Sequence, residues 1–585
     1  MVTEDCTIIN KKSIKGYYWV YNRPSSQHVK KFKKQYRVTE ITATILAKRF
    51  QENMDLNLFL YPTLKKNLPE PFKLKNMKET VNIVVKKIVQ KDNIGLLGDY
   101  DVDGATSTAT FYKYLKCIET VPEVYIPDRI ADGYGISKNS IDYFLEKNVN
   151  FVIALDCGTN DFETISYAKK KGIDIIVIDH HEVKNFGKPL NIINPKLEYD
   201  DSGLESLCTA GLTFLFIIAL NRALREISFF EDKNEPDLKK LLDLVALGTI
   251  CDLVPLENVN RLLVKKGLSI LNKNSNLGLK TLINKLELKG KVKAADLAFY
   301  IGPCINAAGR IGNARLGFNL LVNENIEETE EISKKLITSN KERKTLEKMT
   351  YNDAKKLLRN VNEDNFIFVY SKKWHPGIVG IIASKLVEEY KKPAFVVSID
   401  EENATGSVRS IKNIDISKTL NKLRELGHID SGGGHAMAGG LKLKTKNLEK
   451  LKTFLLENSL DLKRNEENKL EIDWIADIES LNIKTIEDLS ELEPFGMDNN
   501  EPIIVIKNVS AIFIKKIGKE KEHILCTLED IYGNKLKAIA FNDSDKKIGN
   551  ILENKKQFHV LGKISVNEYL NRKYPQLLIK DINLI

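Results

Sequence analysis

Three carboxylates stand at alternate positions in Gly98-Asp99-Tyr100-Asp101-Val102-Asp103-Gly104, directly after the apolar run Ile94-Gly95-Leu96-Leu97. In an extended chain alternate residues point to one side, so this segment aims three negative oxygens at one place. Carboxylates so crowded must gain a cation or take up protons. Gly104 opens a run, Ala105 to Leu115, that reads as a helix. The cluster therefore sits at the C-terminal end of a strand, where open α/β sheets bind their ligands. Alone, such a segment would read as an acidic surface turn.

It does not stand alone. The apolar strand Phe151-Val152-Ile153-Ala154-Leu155 ends in Asp156-Cys157-Gly158, and Ile173-Asp174-Ile175-Ile176-Val177-Ile178 ends in Asp179-His180-His181. A fourth apolar stretch, Leu244 to Ile250, ends in Cys251-Asp252 and is read here as another strand end. Four buried-type segments thus each deliver Asp or His at their C-terminal ends. Hard carboxylates with an imidazole suit Mn²⁺ or Mg²⁺ better than a structural zinc, which prefers Cys and His.

From about 85 to 320 apolar strands and helical runs alternate as in parallel βαβ units, with strands at 93–98, 123–126, 151–155 and 173–178. Asn325 to Arg359 has no Gly or Pro and predicts one long helix. Its apolar positions are too sparse for heptads, so it reads as a connector rather than a coiled coil. A second α/β unit follows from about 365 to 460. Beyond Ile472, short alternating segments at 503–508, 511–516, 523–529, 536–541, 557–564 and 576–580 predict a small barrel. From Lys507 onward 15 Lys and Arg face 9 Asp and Glu, with Phe513, Tyr532, Phe541, Tyr569 and Tyr574 interleaved. Basic charge with aromatics is what tracking a single strand requires. At the other end, Tyr17-Tyr18-Trp19 and the basic run Lys30-Lys31-Phe32-Lys33-Lys34 read as parts of a peripheral arm, the run as a solvated face.

At 585 residues the chain is too long for one core, and its 43% hydrophobic and 29% charged residues are ordinary for a globular protein. No apolar run approaches the roughly 20 residues of a bilayer-spanning helix. The acidic start Met1-Val2-Thr3-Glu4-Asp5 has no apolar core of a signal peptide. Seven scattered Cys without a CxxC pair predict reduced thiols and a cytoplasmic location. The net charge of +10 permits nucleic-acid binding without demanding it.

The ordered motifs carry a resemblance. Asp99-Tyr100-Asp101-Val102-Asp103-Gly104 with a strand-terminal Asp179-His180-His181 is similar to the DHH phosphoesterase superfamily. So are Asp128-Arg129 with Gly133-Tyr134-Gly135, Ile305-Asn306-Ala307-Ala308-Gly309-Arg310, Trp374-His375-Pro376-Gly377, Gly406-Ser407-Val408-Arg409-Ser410 and Gly432-Gly433-Gly434-His435, which stand in the order seen in the RecJ family. The resemblance implies a parallel-sheet DHH domain (61–324), a connecting helix (325–360), a DHHA1 α/β domain (361–465) and an OB-fold barrel (466–585), preceded by an arm (1–60). It implies a metal-dependent 5′→3′ exonuclease on single-stranded DNA that releases 5′-mononucleotides in repair and recombination. Two Mn²⁺ or Mg²⁺ ions would sit on Asp101, Asp103, Asp156, His180 and Asp252, with Asp156 bridging. Asp99, His180 and His181 would serve catalysis. Arg129, Arg310, His375, Ser407, Arg409, Gly433, Gly434 and His435 would contact the substrate. The resemblance also implies a monomer without membrane contact, with a RecQ-type helicase and a single-strand-binding protein as partners. One position departs: the family's Arg two residues before Asn306 is Cys304 here.

Two other readings compete. A phosphodiesterase of short oligonucleotides or cyclic dinucleotides shares the DHH and DHHA1 units but needs no basic barrel. A non-catalytic scaffold would keep five buried ligands without use, at a cost.

Overall fold

The computed structural model describes all residues except 1–5, 9–10, 130–131, 184–190, 274–275, 359–364, 413, 459–468, 544–546, 555–556 and 570–571. The acidic N-terminal pentapeptide and the expected boundaries at 360/361 and 465/466 lie outside the described residues. The chain divides into two compact units: residues 69–254 with 266–464, and residues 1–68 with 255–265 and 465–585.

The first unit holds two sheets. One is five-stranded, in the order Glu123–Tyr125, Ile94–Leu97, Phe151–Leu155, Asp174–Ile178, Ile192–Ile193. All its pairings are parallel. The central strands are buried at every residue from Ile94 to Leu97 and from Phe151 to Leu155, as expected when helices cover both faces. The first strand in sequence lies between the second and third, so the order reverses beside Ile94–Leu97 and Phe151–Leu155. That reversal opens the crevice where doubly wound sheets place ligands. The acidic segments after both strands flank it.

Asp252 reaches this region differently from expectation. Leu242–Cys251 is a helix, which the helical reading of 236–247 foreshadows and the strand-end reading of 244–250 does not, and Asp252 is its C-terminal cap. An apolar run of this length carries no period that separates a buried strand from a helix buried on all sides. The helix is buried from Leu242 to Ile250, which is why the run resembles a strand. The first acidic segment also differs. The helix begins at Val102 with Asp101 as N-cap, its side chain accepting from the Gly104 N–H at 3.0 Å. Asp103 is therefore brought to the cluster by the first helical turn, not by extended alternation.

The expected connector is a continuous helix, Ile326–Leu357, 32 residues long and unbroken at Thr338-Ser339. Asn325 caps it, and Glu331–Lys335 and Arg343–Glu347 pair one turn apart. Its buried residues, Thr329, Ser333, Leu336, Asn340, Glu347, Thr350 and Ala354, form one stripe at spacings of three, four and seven residues. Most are polar, which excludes a coiled-coil seam. The second sheet runs Ser431–His435, Ala438–Lys444, Asn403–Arg409, Ala394–Asp400, Ile367–Ser371, with only the last pair parallel. Three of these strands, including the one bearing Arg409, are not evident in the sequence, because their Gly, Ser and Lys content hides the alternation.

The other unit contains the barrel. Ile504–Ile517, His523–Asp530, Lys535–Ala540, Arg572–Leu584 and Phe558–Tyr569 pair in that order, and the last strand closes on the first. The expected strands 503–508 and 511–516 are one strand. The described residues up to about 60 are not the peripheral arm expected. Phe32, Ile45, Leu46, Leu56 and Leu60 share one core with Ile504, Leu528, Phe558 and Leu577 of the barrel. Trp19 is fully buried and donates its indole N–H to Asp581 at 3.2 Å.

Candidate active site

Asp99, Asp103, Asp156 and Asp179 are each no more than 3% exposed, and His180 is 9% exposed. The ligand atoms of Asp99, Asp101 and Asp156 lie within 4.8 Å of one another. So do those of Asp103, His180 and Asp252, and those of Asp156, His180 and His181. The His180 Nε2 is 3.6 Å from both Asp156 Oδ1 and Asp252 Oδ2. The five expected ligands, together with Asp99 and His181, thus converge from four segments. Asp156 and His180 each belong to two of the three groups.

Local chemistry fixes each group. Asp103 accepts from the backbone N–H of Thr209 (2.7 Å) and of Ala210 (3.0 Å), at the start of the helix Thr209–Glu226. The helix N-terminus favours a carboxylate there. The Thr209 hydroxyl donates to Asp156 Oδ1 at 2.8 Å. Gly104 has no room for a side chain, since a Cβ would stand 2.6 Å from the Asp99 backbone. Thr209 gives no signal in the sequence, because only the fold brings that helix end to the acids.

The electrostatics are those of a site short of positive charge. Burial, then the neighbouring carboxylate of Asp101, pushes Asp103 up to about 6. Burial and Asp103 push Asp252 up to about 9. Asp99 and Asp156 are raised well above the ordinary carboxylate range by burial and by their acidic neighbours. Asp99 Oδ1 and Asp252 Oδ2 are buried with no hydrogen-bond partner. Orphaned carboxylate oxygens among crowded acids, with a neutral imidazole, are the donor set of a hard divalent cation. Burial holds His180 down to about 4, which leaves its nitrogen free to bind metal at neutral pH.

His181 behaves oppositely. Burial opposes its charge, but the hydrogen bond to Asp179 (2.7 Å) and that residue's negative charge outweigh burial and raise it to about 9. Asp179 accepts in addition from the N–H groups of Thr159, His180 and His181, and it is held far below the usual range despite its burial. It therefore orients the histidine pair instead of joining the ligands. The Tyr134 hydroxyl lies 2.9 Å from His181 Nδ1.

Beside the acids stands a cationic group. Arg310 is in electrostatic range of Arg129, Arg343, Asp101 and Arg409; burial, then the like charges of the three arginines, lowers it to about 10 against the opposing pull of Asp101. Arg129 stacks on Tyr100 at 4.3 Å, with its Nε buried and without a hydrogen-bond partner. Arg310 donates to the Gly377 carbonyl at 3.3 Å, and Arg409 donates to Ser407 (3.5 Å) and to the Val408 carbonyl (2.8 Å). Gly380 leaves space over this pair, since a Cβ would come within 2.9 Å of Ser407 Oγ. His375 accepts from the Gly377 N–H through Nδ1, which ties it to the loop that Arg310 also touches. Gly433 and Gly434 lie on the edge strand Ser431–His435, and His435 is within electrostatic range of Glu182. Arg343 is an addition that the motifs do not announce. It comes from the long helix, gripped by Glu347 (2.8 Å) and Asn340 (2.9 Å). The Asn340 amide donates to the Cys304 sulfur at 3.3 Å. The position that lacks the family's Arg thus abuts a helix that supplies one.

Comparison with known proteins places these parts. Residues 93–249 match the model of the DHH family N-terminal domain, 363–458 that of the DHHA1 domain, and 472–581 that of the RecJ OB domain. The single-stranded-DNA-specific exonuclease RecJ of Bacillus subtilis is 34% identical over 96% of this chain and 70% of its own length. That of Haemophilus influenzae is 30% identical over 89% of this chain and 92% of its own. The structure of RecJ in complex with Mn²⁺ from Thermus thermophilus is similar in fold, with a TM-score of 0.81 at 24% identity over 98% of this chain and 80% of that one. A structure of exonuclease RecJ bound to manganese, 30% identical, covers 66% of this chain and 95% of its own, with a TM-score of 0.57. With the acidic and cationic groups in one unit and identity that runs nearly from end to end, the chain belongs to the RecJ family.

Proposed function

We propose that this protein is a metal-dependent exonuclease that degrades single-stranded DNA from its 5′ end and releases 5′-mononucleotides. The observation that carries the reading is the juxtaposition of a buried carboxylate cluster that needs cations with a guanidinium group that needs anions. A phosphodiester with divalent metal satisfies both at once. The names of the relatives support the same substrate.

Asp101, Asp103, Asp156, His180 and Asp252 would hold Mn²⁺ or Mg²⁺, with Asp99 close enough to join. When bound, such ions relieve charge on the phosphoryl oxygens and acidify water. Thr209 and Ala210 keep Asp103 aimed, and the Thr209 hydroxyl keeps Asp156 aimed. His181, charged at neutral pH through Asp179, holds a proton on the face of the cluster. That suits donation to the scissile phosphate or the leaving oxygen and disfavours a role as base. Arg129, Arg310 and Arg343 receive the backbone phosphates. Arg409 with Ser407 receives the 5′-terminal phosphate, because a planar fork binds two oxygens at once. Anchoring the end there while the acids address the first linkage measures off one nucleotide. His375, Gly433, Gly434 and His435 would complete the substrate contacts. In this reading the chain would act as a monomer in the cytoplasm beside a RecQ-type helicase and a single-strand-binding protein.

Product analysis on 5′-labelled single-stranded and duplex DNA with Mn²⁺ tests the reading. Labelled mononucleotide from single strands is expected. Faster turnover of a dinucleotide than of a long strand would instead mark a small-nucleotide phosphodiesterase.

A further inference from the structure

The unit that contains the barrel carries a groove of about 710 Å³, in the size range of ligand clefts. Nothing in the hydrolytic site uses it. Trp474, Tyr21 and Ile41 contribute its aromatic and apolar surface, and Arg23, Lys30 and Lys33 contribute its charge.

The basic run Lys30-Lys31-Phe32-Lys33-Lys34 is divided by its helix, Ser26–Tyr36. His28, Phe32 and Tyr36 point into the core at four-residue spacing, and Lys31 pairs with Glu52 at 3.5 Å. Lys30 and Lys33, one turn apart, are left on the groove. Lys33 shares its charge with Glu40 at 3.1 Å, while Arg23 and Lys30 are exposed. Trp474 stands on the short strand Trp474–Ala476 that pairs with Ile504–Ile506 of the barrel. It is the one Trp of three with partial exposure: Trp19 is fully buried and Trp374 is 4% exposed.

We propose that this groove is a second seat for single-stranded nucleic acid, distinct from the hydrolytic site, in which a base lies against Trp474 while Arg23 and Lys30 take flanking phosphates. The proposal rests on the exonuclease reading above. Cations set beside a flat aromatic ring complement a chain of phosphates carrying flat bases. An acidic peptide would match the charge but would leave the ring without a partner of its own shape.

The test uses the full chain in EDTA, so that no strand is cut during titration. Oligo-dT should quench tryptophan emission, and Trp474→Phe should abolish the quench. Arg23→Ala with Lys30→Ala should weaken binding of long oligo-dT roughly tenfold or more, and should lower the slope of log affinity against log salt by about 1.4, since each phosphate contact on a single strand contributes about 0.7. Dinucleotide turnover with Mn²⁺ should be unchanged, and melting should confirm that the variant folds. An unmoved salt slope with no Trp474 signal overturns the proposal. So does a quench by polyglutamate but not by oligo-dT, which would make the groove a protein-docking site. A chain that binds oligo-dT at Trp474 yet releases no nucleotide sinks the exonuclease reading and leaves the groove. Nucleotide release with an unmoved slope does the reverse.

Discussion

At the scale of single residues, Asp103 is the most constrained ligand, because both its oxygens are already aimed by backbone N–H groups. Asp103→Ala should lower turnover at saturating Mn²⁺ by at least 10–100-fold, the usual cost of losing a ligand or its support. Near-normal turnover would remove Asp103 from the metal set. Among the described residues Arg409 bonds to Ser407 and to its own strand's Val408 carbonyl, so its fork has donors to spare. Arg409→Ala should slow hydrolysis of 5′-phosphorylated strands by roughly 10–150-fold, from a charge-assisted contact of about 1.5–3 kcal/mol. Strands with a 5′-hydroxyl should be much less affected, and Arg409→Lys should restore only part of the difference. Equal losses on both substrates would give Arg409 a different job. Arg343 enters the same cationic group from the helix that abuts Cys304, the position where the family's Arg is missing.

At the scale of elements, the site is assembled from ends. A strand end brings Asp99, a helix start brings Asp103, and a helix C-cap brings Asp252. A buried helix start then pins two of the acids. In the other unit Arg261 plays the comparable structural part. It is fully buried, lies 3.7 Å over the Phe59 ring, and donates to the carbonyls of Phe59 (2.7 Å), Glu493 (2.8 Å) and Pro494 (3.2 Å). Burial lowers it to about 10, so it remains charged. Arg261→Met should cost on the order of 3 kcal/mol or more, because it orphans those carbonyls. Arg261→Lys should not rescue it, as an ammonium cannot span the same fan of acceptors. A urea midpoint within error of the parent would show that the carbonyls find other donors.

At the scale of the molecule, the shared core of residues 32–60 and the barrel decides how the barrel can be tested. Deleting residues 470–585 would strip cover from Phe32, Ile45 and Leu46 and damage more than strand binding. Surface changes are cleaner. Phe513 is 78% exposed and Tyr532 82% exposed. If either stacks a base, its Ala variant should weaken long-strand binding by about 1–3 kcal/mol and leave dinucleotide turnover unchanged; an unaltered Kd would assign it to the bare surface.

Stability should also report the acid cluster. Asp252 titrates near 3.8 when unfolded and at about 9 when folded, through burial and Asp103. His181 moves from 6.5 to about 9. Both make the native state bind more protons than the unfolded one between about 6.5 and 9, so metal-free stability falls as pH rises through that window. His180, lowered to about 4, acts in the opposite sense only below 6.5. Melting in EDTA should therefore drop from pH 6.5 to 9, and Mn²⁺ should reverse the drop because it replaces the protons. A flat metal-free profile would mean that the acids share charge in another way.

The alternation of short apolar runs with helical runs determined the parallel sheet and its crevice, and the Asp and His at their ends marked which segments meet there, because an apolar run and the residues that end it are local properties. The same held for the long helix, where the absence of Gly and Pro is also local. What the tertiary structure alone decided has the opposite character. Asp252 rides on a helix, since a segment buried on all sides shows no period. Thr209 and Arg343 enter the site from distant helices, and residues between 32 and 60 complete the barrel's core. In each case the partners lie far apart along the chain, and only close packing brings the groups within a few ångströms.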